Sequence, residues 1–211
     1  MITMDIATPT PRKPGRPLSF DRQAALQQAM LTFWRHGYET TSISDLTAAM
    51  GVTAPSIYTA FGDKKRLFLE AMCLYAGSPD DLQQSLDQAA TARDAVSDML
   101  TSAAYAFTGE TTPRGCLLAS ATASGSTDSA DVQKAVADVR RDILARLKGR
   151  IDRDIATGVL PETASATTLA AMVVAVIQGM SVLARDGLER ESLLKVASCA
   201  LEGWPVSQTE G

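Results

Sequence analysis

Residues 41–68 read TSISDLTAAMGVTAPSIYTAFGDKKRLF, and this stretch decides the fold. A short helix is predicted over residues 42–50, because apolar residues recur there at helical spacing and a glycine follows. A second short helix is predicted over residues 54–61, with Thr53 as its cap and Pro55 in its first turn, where a missing N–H costs nothing. Two short helices joined by a Gly-Val-Thr turn are typical of a helix-turn-helix.

Helices are predicted on both sides of this unit. The preceding helix begins at Ser19 or Asp21, either of which can cap it, and ends at Gly37. The following helix is capped by Asp63 and covers residues 64–76. Further helices are predicted near residues 80–89, 93–108, 114–124, 129–157, 163–185 and 189–203. No alternating strand pattern is evident, so the predicted fold class is all-α.

Packing of the two short helices leaves one face of the second helix for DNA. The apolar residues predicted to share a core are Ile43, Leu46, Ala49, Val52, Ile57 and Phe61. Ala54, Ser56 and Thr59 then face outward. Small residues at these positions let a helix N-terminus approach base edges in the major groove.

Contacts to the DNA backbone are expected around that face. Thr41 and Ser42 begin the first short helix and can donate to a phosphate beside the free N–H groups. Tyr58 and Lys64 can reach phosphates on either side of the groove. The predicted DNA-binding residues of this stretch are Thr41, Ser42, Thr53, Ala54, Pro55, Ser56, Tyr58, Thr59 and Lys64.

Residues 20–70 resemble the TetR (AcrR-like) family of bacterial repressors. The family pattern begins with a helix that ends in an aromatic residue and is followed by a Gly-Tyr step. A Gly-Val turn comes next, and aromatic, lysine and leucine residues follow it at fixed spacing. The matching residues are Phe33, Gly37, Tyr38, Leu46, Gly51, Val52, Tyr58, Phe61, Lys64 and Leu67. Two residues depart from the pattern: Ala60, where many members have histidine, and Lys65, where an acidic residue is common.

The resemblance implies a homodimeric, ligand-controlled repressor. Three N-terminal helices would bind double-stranded DNA at a pseudo-palindromic operator, and the fourth would link them to a larger helical domain that holds a small-molecule inducer. The last two helices, at 163–185 and 189–203, would form a four-helix bundle with the partner. The inducer is not identified by the sequence, and no cofactor is predicted.

Four regions are predicted along the chain. Residues 1–18 form a disordered basic arm, in which Arg12 precedes a Gly-Arg-Pro core that contains Arg16 and is suited to the minor groove. Alternatively this arm is a solvated tail. Residues 19–62 form the DNA-binding domain, and residues 63–204 form the ligand-binding and dimerisation domain. Residues 205–211 form a flexible tail. Gly77-Ser78-Pro79 marks a hinge or boundary.

Charge is divided unevenly along the chain. The net charge is −4, but the first 75 residues carry eight Lys and Arg against six Asp and Glu, and the rest carry twelve against eighteen. A basic front on an acidic protein suggests that only the front contacts a polyanion. The N-terminus lacks the apolar core of a signal peptide and the three cysteines lie far apart, so a cytoplasmic protein is expected.

Residues 164–184 are uncharged and apolar enough to suggest a membrane span. Polar residues occur throughout this segment, and Glu162 and Arg185 flank it. These features favour a helix buried inside a protein or a dimer over one in a membrane.

Several residues of the larger domain are candidates for an apolar ligand pocket. They are Met72, Tyr75, Met99, Tyr105, Phe107 and Cys116. Each can equally belong to the ordinary core, since such residues are commonly buried. The neighbouring arginines Arg140 and Arg141 are interpreted as a solvated helix face.

Two alternatives to ligand-controlled repression remain open, and the first is a regulator of the same fold that activates transcription or that senses redox state through Cys116. Cys116 follows Arg114 near a predicted helix start, which favours a reactive thiolate and would make the chain a redox or electrophile sensor. The other interpretation of Cys116 is a small buried core residue. A helical enzyme or carrier is the second alternative. However, His36 is the only histidine, and no nucleophile, phosphate-binding or metal motif is present, so neither an enzyme nor a metal site is predicted.

Overall fold

The computed structural model describes residues 20–120 and 129–207, and within these ranges it contains α-helices and no strand. The all-α fold class is therefore confirmed. The helices are α1 (Arg22–His36), α2 (Ile43–Met50), α3 (Ala54–Phe61), α4 (Lys64–Ala76), α5 (Pro79–Gln88), α6 (Ala92–Phe107), α7 (Leu117–Ser120), α8 (Ala130–Ala156), α9 (Ala166–Arg185) and α10 (Arg190–Glu202).

Most helix ends lie where the capping residues predicted them. Asp21 caps α1, because its carboxylate accepts hydrogen bonds from the N–H groups of Gln23 and Ala24 at 2.9 and 3.1 Å. The predicted helix at 114–124 is wrong at its start, since α7 begins at Leu117 and residues 113–116 form a loop. The remainder of that helix, the Ser19 cap and the arm at 1–18 lie outside the described residues.

The turn of the helix-turn-helix depends on Gly51. Its φ of 66° lies in the left-handed region, which glycine adopts without steric cost. This conformation lets the Val52 N–H donate to the Thr47 carbonyl at 3.2 Å and closes the end of α2. Leu46 and Ile57 are fully buried across the turn, as predicted. Ala49 was wrongly assigned to this core: it is exposed.

An aromatic cluster connects the helix-turn-helix to α1 and α4. Phe33 and Tyr38 each contact the Phe68 ring edge-on, with centroids 5.1 Å apart in both pairs. At the other end of α1, Arg22 lies over the Phe61 ring and donates to the Ala60 carbonyl and to Glu70. These contacts fix the orientation of α3 relative to α1 and α4.

A buried ion pair organises the far end of the larger domain. Arg150 and Asp154, one turn apart on α8, pair while both are almost fully buried. Arg150 also donates to the Leu86 and Ala89 carbonyls at the end of α5, and Asp154 accepts from the Ala92 N–H at the start of α6. The pair therefore supplies hydrogen bonds that two helix ends otherwise lack.

Helix α9 is long and apolar enough to cross a bilayer, although length and composition alone are weak evidence for this. It packs on α6, α8 and α10. Its uncovered face carries small and apolar residues, namely Ala171, Ala175, Gly179, Val182 and Leu183. An apolar stripe left uncovered by the chain itself is typical of an association surface.

The tail begins after α10. Residues 205–207 are not helical, and the Ser207 hydroxyl donates to the Gly158 carbonyl at 2.8 Å. The last four residues lie outside the described ranges. The flexible tail over 205–211 stays a prediction.

We expect Gly51→Ala and Gly149→Ala to change stability in opposite directions. An added Cβ meets nothing within 4 Å at either site, so the backbone decides the outcome. At Gly51 the left-handed φ should cost about 1–2 kcal/mol. At Gly149, inside α8, alanine should stabilise the helix by about 0.5–1 kcal/mol. Urea unfolding at one fixed protein concentration measures both changes, and the same sign for both variants would contradict the prediction.

Candidate nucleic-acid interface and ligand cavity

The outer face of α3 is open to solvent. Pro55, Tyr58 and Thr59 are exposed, and Ala54 and Ser56 are half-buried. The Tyr58 side chain, with 50% of its surface exposed, makes this face unusually apolar for a free surface. The helix offers a narrow, smooth ridge at its N-terminus with one aromatic ring beside it, which is a shape that fits the major groove.

The hydroxyl groups near this ridge have local partners. Thr59 donates to the Pro55 carbonyl at 2.8 Å, and the Thr53 and Ser56 hydroxyls lie 2.9 Å apart. Thr53 begins α3, but its side chain makes no capping hydrogen bond. In the first turn the Ser56 N–H donates to the Thr53 carbonyl at 3.0 Å and Pro55 has no N–H, so the Ala54 N–H is the one that remains for an anion.

The start of α2 differs from the prediction. Ser42 forms a capping box with Asp45, and its donated hydrogen bonds hold the pKa of that carboxyl below its ordinary value. Thr41 is buried and donates its hydroxyl to the Gly37 carbonyl at 2.6 Å. The prediction that the Thr41 hydroxyl contacts a phosphate is therefore wrong, because this hydroxyl faces the interior and already donates to the Gly37 carbonyl.

The two lysines at the start of α4 have different interaction partners. The Lys64 ammonium lies 4.6 Å from the centre of the Tyr38 ring and donates to the Glu39 carbonyl at 3.3 Å. Desolvation lowers its pKa from the ordinary value. Lys65, which departs from the family pattern, pairs with Asp131 at the start of α8. The sequence did not predict this contact between α4 and α8.

The two arginines of the arm, Arg12 and Arg16, lie outside the described residues. Their minor-groove contact stays a prediction.

A cavity of about 530 Å³ lies between α4, α6, α8 and α9. Four of the predicted pocket residues line it: Tyr75, Met99, Phe107 and Cys116. Met72 and Tyr105 do not line it and were assigned wrongly. Met72 is buried in the core, and Tyr105 is 52% exposed beneath the guanidinium of Arg190. The remaining lining residues are mostly apolar and include Leu82, Leu118, Val139, Ile143, Val174 and Ile177.

Polar residues of the cavity were missed by sequence reasoning. Arg140, Asp138, Asp142 and Gln178 all line it. The interpretation of Arg140 as part of a solvated face is therefore wrong, while Arg141 is exposed as expected. Adjacent residues on a helix point about 100° apart, so two neighbouring arginines need not share one environment.

The loop at residues 113–116 joins the cavity to α1 and α9. The Trp34 indole N–H donates to the Gly115 carbonyl at 2.9 Å, and the Cys116 N–H donates to the Ser181 hydroxyl at 2.8 Å. The Arg185 guanidinium donates to the carbonyls of both Trp34 and Cys116, at 3.2 Å each. A helix of the DNA-binding part, the loop and α9 are thus hydrogen-bonded at one point.

The Cys116 thiol is buried at this junction. The Tyr75 hydroxyl lies 3.3 Å from its sulfur, and burial raises the pKa of Tyr75. Arg114 directs its guanidinium to the Ala184 and Leu188 carbonyls and Glu189, not to the sulfur. The geometry therefore favours the core interpretation of Cys116 over the sensor.

Two family models match the chain. The model for bacterial regulatory proteins of the tetR family covers residues 25–71, and the model for the tetracyclin repressor-like C-terminal domain covers residues 92–191. Together they span most of the described chain. The chain belongs to the TetR family. Members of this family are DNA-binding transcriptional regulators that act as dimers, so the helix-turn-helix is a DNA-binding element.

Similar proteins agree with this assignment. The chain is 34% identical over 193 residues to the HTH-type transcriptional repressor ComR of Escherichia coli K12, which covers 90% of this chain and 92% of ComR. A cysteine mutant of the TetR family regulator CifR, complexed with 26 bp double-strand operator DNA, is 40% identical with a TM-score of 0.85, covering 90% of this chain and 100% of CifR. A TetR regulator from Rhodococcus sp. RHA1 is 36% identical with a TM-score of 0.61, covering 87% and 99%.

We expect Trp34→Phe to destabilise the protein more than Trp204→Phe. Both tryptophans are about 95% buried, and each substitution removes an indole N–H and some volume. At Trp34 it also leaves the Gly115 carbonyl without its donor, whereas the Trp204 N–H has no partner among the described residues. The difference in unfolding free energy should be about 1–3 kcal/mol. Urea unfolding of both variants measures it, and equal losses would show that the Trp34 hydrogen bond contributes nothing.

Proposed function

We propose that this TetR-family chain is a cytoplasmic, non-enzymatic repressor that leaves its operator when a small molecule enters the cavity. The observation that carries the proposal is the hydrogen-bonded junction at residues 113–116. This junction lies between an apolar cavity and α1, the helix on which the helix-turn-helix packs. The similar protein ComR is named a transcriptional repressor, which supports repression rather than activation.

The exposed ridge of α3 would enter the major groove. Tyr58, Thr59 and Pro55 are its exposed side chains, and Ala54 and Ser56 line its first turn. Thr53 and the first turn of α2 would bind phosphates through backbone N–H groups, while the Ser42 N–H stays with Asp45. Lys64 would add its charge at the edge. The operator complex of CifR supports this arrangement.

The dimer would form through α9 and α10. The uncovered stripe of α9 includes Ala171, Ala175 and Gly179, whose small side chains allow close approach of a second helix. Val182 beside them is 54% exposed, which is unfavourable for an isolated chain in water. Pairing of this face with its copy would bury the stripe and place two α3 helices on one side of a pseudo-palindromic site.

Release requires that a ligand binds the DNA-free conformation more tightly than the DNA-bound one. Tyr75 lines the cavity and contacts the Trp34 ring edge-on, with centroids 4.8 Å apart. A ligand that displaces Tyr75 or the loop would therefore move α1 and, through it, α3. A change in the spacing of the two α3 helices is sufficient to lose the second half-site.

The direct test is fluorescence anisotropy with DNA from the region upstream of the gene, across a series of salt concentrations. We expect tight binding to one segment, with affinity that falls linearly with the logarithm of salt concentration, because the protein displaces counterions from phosphates. Equally weak binding to every segment would contradict sequence-specific repression at this region.

We expect Tyr58→Phe to weaken operator binding about 3–10-fold, the effect of losing one hydrogen bond to a charged group. The control is Tyr105→Phe, because Tyr105 has nearly the same exposure but lies on α6. That variant should bind the operator as the unmodified protein does. Circular dichroism should show no change in either variant. Equal affinity of all three proteins would remove Tyr58 from the DNA interface.

A further inference from the structure

Arg140 is the cation among the residues that line the cavity, and it has one hydrogen-bond partner. Its guanidinium donates to the Leu118 carbonyl of α7 at 3.3 Å. It forms no ion pair with any carboxylate in the described ranges 20–120 and 129–207. A half-buried guanidinium with a single carbonyl acceptor retains several unused donors.

The two carboxylates on the same wall are already paired. Asp138 lies between Lys134, at 3.0 Å, and Arg141. Asp142 pairs with Arg146 at 2.7 Å. Both carboxylates line the cavity, but each is neutralised by a cation that does not line it. The charge on this wall that no ion pair neutralises is the Arg140 guanidinium.

The remaining walls are apolar. Leu82, Met99, Phe107, Ile143 and Ile177 are among the apolar residues that line the cavity together with Arg140. Apolar walls supply affinity through buried area, and one charged group fixes the orientation of the ligand. A neutral ligand would remove water from the Arg140 guanidinium without compensating its positive charge. An anion would instead form charge-assisted hydrogen bonds with the guanidinium.

We propose that the cavity binds an apolar monocarboxylate, with the carboxylate on the Arg140 guanidinium and the hydrocarbon body against α4, α6 and α9. This inference rests on the proposed function, since it names the ligand class of the same cavity. It also gives the ligand a route to the DNA-binding part. The Arg140 guanidinium also holds the Leu118 carbonyl, so a carboxylate that draws the guanidinium into the cavity would lengthen that hydrogen bond and loosen α7, which directly follows the loop that holds Trp34.

The test uses three ligands with one eight-carbon body and different charges: octanoate, 1-octanol and octylamine. Isothermal titration calorimetry of the full chain measures their affinities. We expect octanoate to bind about tenfold more tightly than 1-octanol, and octylamine to bind least tightly. Equal affinities of octanoate and 1-octanol, or no octanoate binding at low millimolar concentration, would overturn the proposal without any variant.

Arg140→Met and its control Lys148→Met then test which cation binds the carboxylate. Both variants lose one positive charge on α8, but Lys148 pairs with Asp152 and neither of these residues lines the cavity. Arg140→Met should weaken octanoate binding about tenfold and leave 1-octanol within about twofold, while Lys148→Met should change neither. Equal losses in both variants would overturn the assignment to Arg140.

Measuring the release of operator DNA by each ligand distinguishes a failure of this inference from a failure of the proposed function. If 1-octanol releases operator DNA as effectively as octanoate does, the proposed ligand-controlled repression is supported and the proposal of an anionic ligand is contradicted. If the ligand-free protein binds no operator, the proposed function itself fails, whatever the calorimetry shows.

Discussion

The close approach of Gly115 to α9 is the constraint on which the connection between the two parts of the molecule depends. Its φ is 80°, and an added Cβ would lie 2.6 Å from Arg185 Nε and 2.8 Å from the Ser181 carbonyl oxygen. The Gly115 N–H donates to the Phe107 carbonyl at 3.0 Å, and its carbonyl accepts from Trp34. Three helices, α1, α6 and α9, are therefore held by one residue that has no room for a side chain.

This arrangement explains how a cavity far from α3 can affect it. Tyr75 and Cys116 belong both to the cavity wall and to the junction, and Trp34 carries the contact into α1. The pair of Lys65 and Asp131 adds a second connection, between α4 and the helix that carries Arg140. Under the proposed function, a displacement of these connected helices at the cavity would rotate the DNA-binding part.

Sequence reasoning located the elements that local chemistry fixes. Helix α4 begins and ends as predicted, because Asp63 caps it and Gly77 ends it. The fold class and the family followed from the spacing around Gly51. The pocket residues were harder to predict, because facing direction depends on tertiary packing. Met99 and Phe107 are eight residues apart and share a face of α6, and Tyr105 lies about 200° from Phe107 by helical geometry, a signal that the sequence contained.

Other features had no local signal. Nothing in the sequence shows that Thr41 turns inward, that Arg140 rather than Arg141 faces the cavity, or that residues 113–116 form a loop against α9. The loop and Arg140 depend on partners distant in sequence, Ser181 and Arg185 for the loop and Leu118 for Arg140, whereas Thr41 donates to the nearby Gly37 carbonyl. Tertiary contacts of this kind override local helix preference.

The most direct test of the junction is hydrogen–deuterium exchange of Gly115→Ala, compared with Gly158→Ala. Gly158 has a φ of 77° and open space around its Cβ position, so both variants incur the same backbone cost and only Gly115→Ala meets α9. If the junction holds the two parts together, Gly115→Ala raises exchange in both α1 and α9, and Gly158→Ala raises it locally. Faster exchange confined to residues 113–116 would contradict the coupling of cavity and DNA-binding helices.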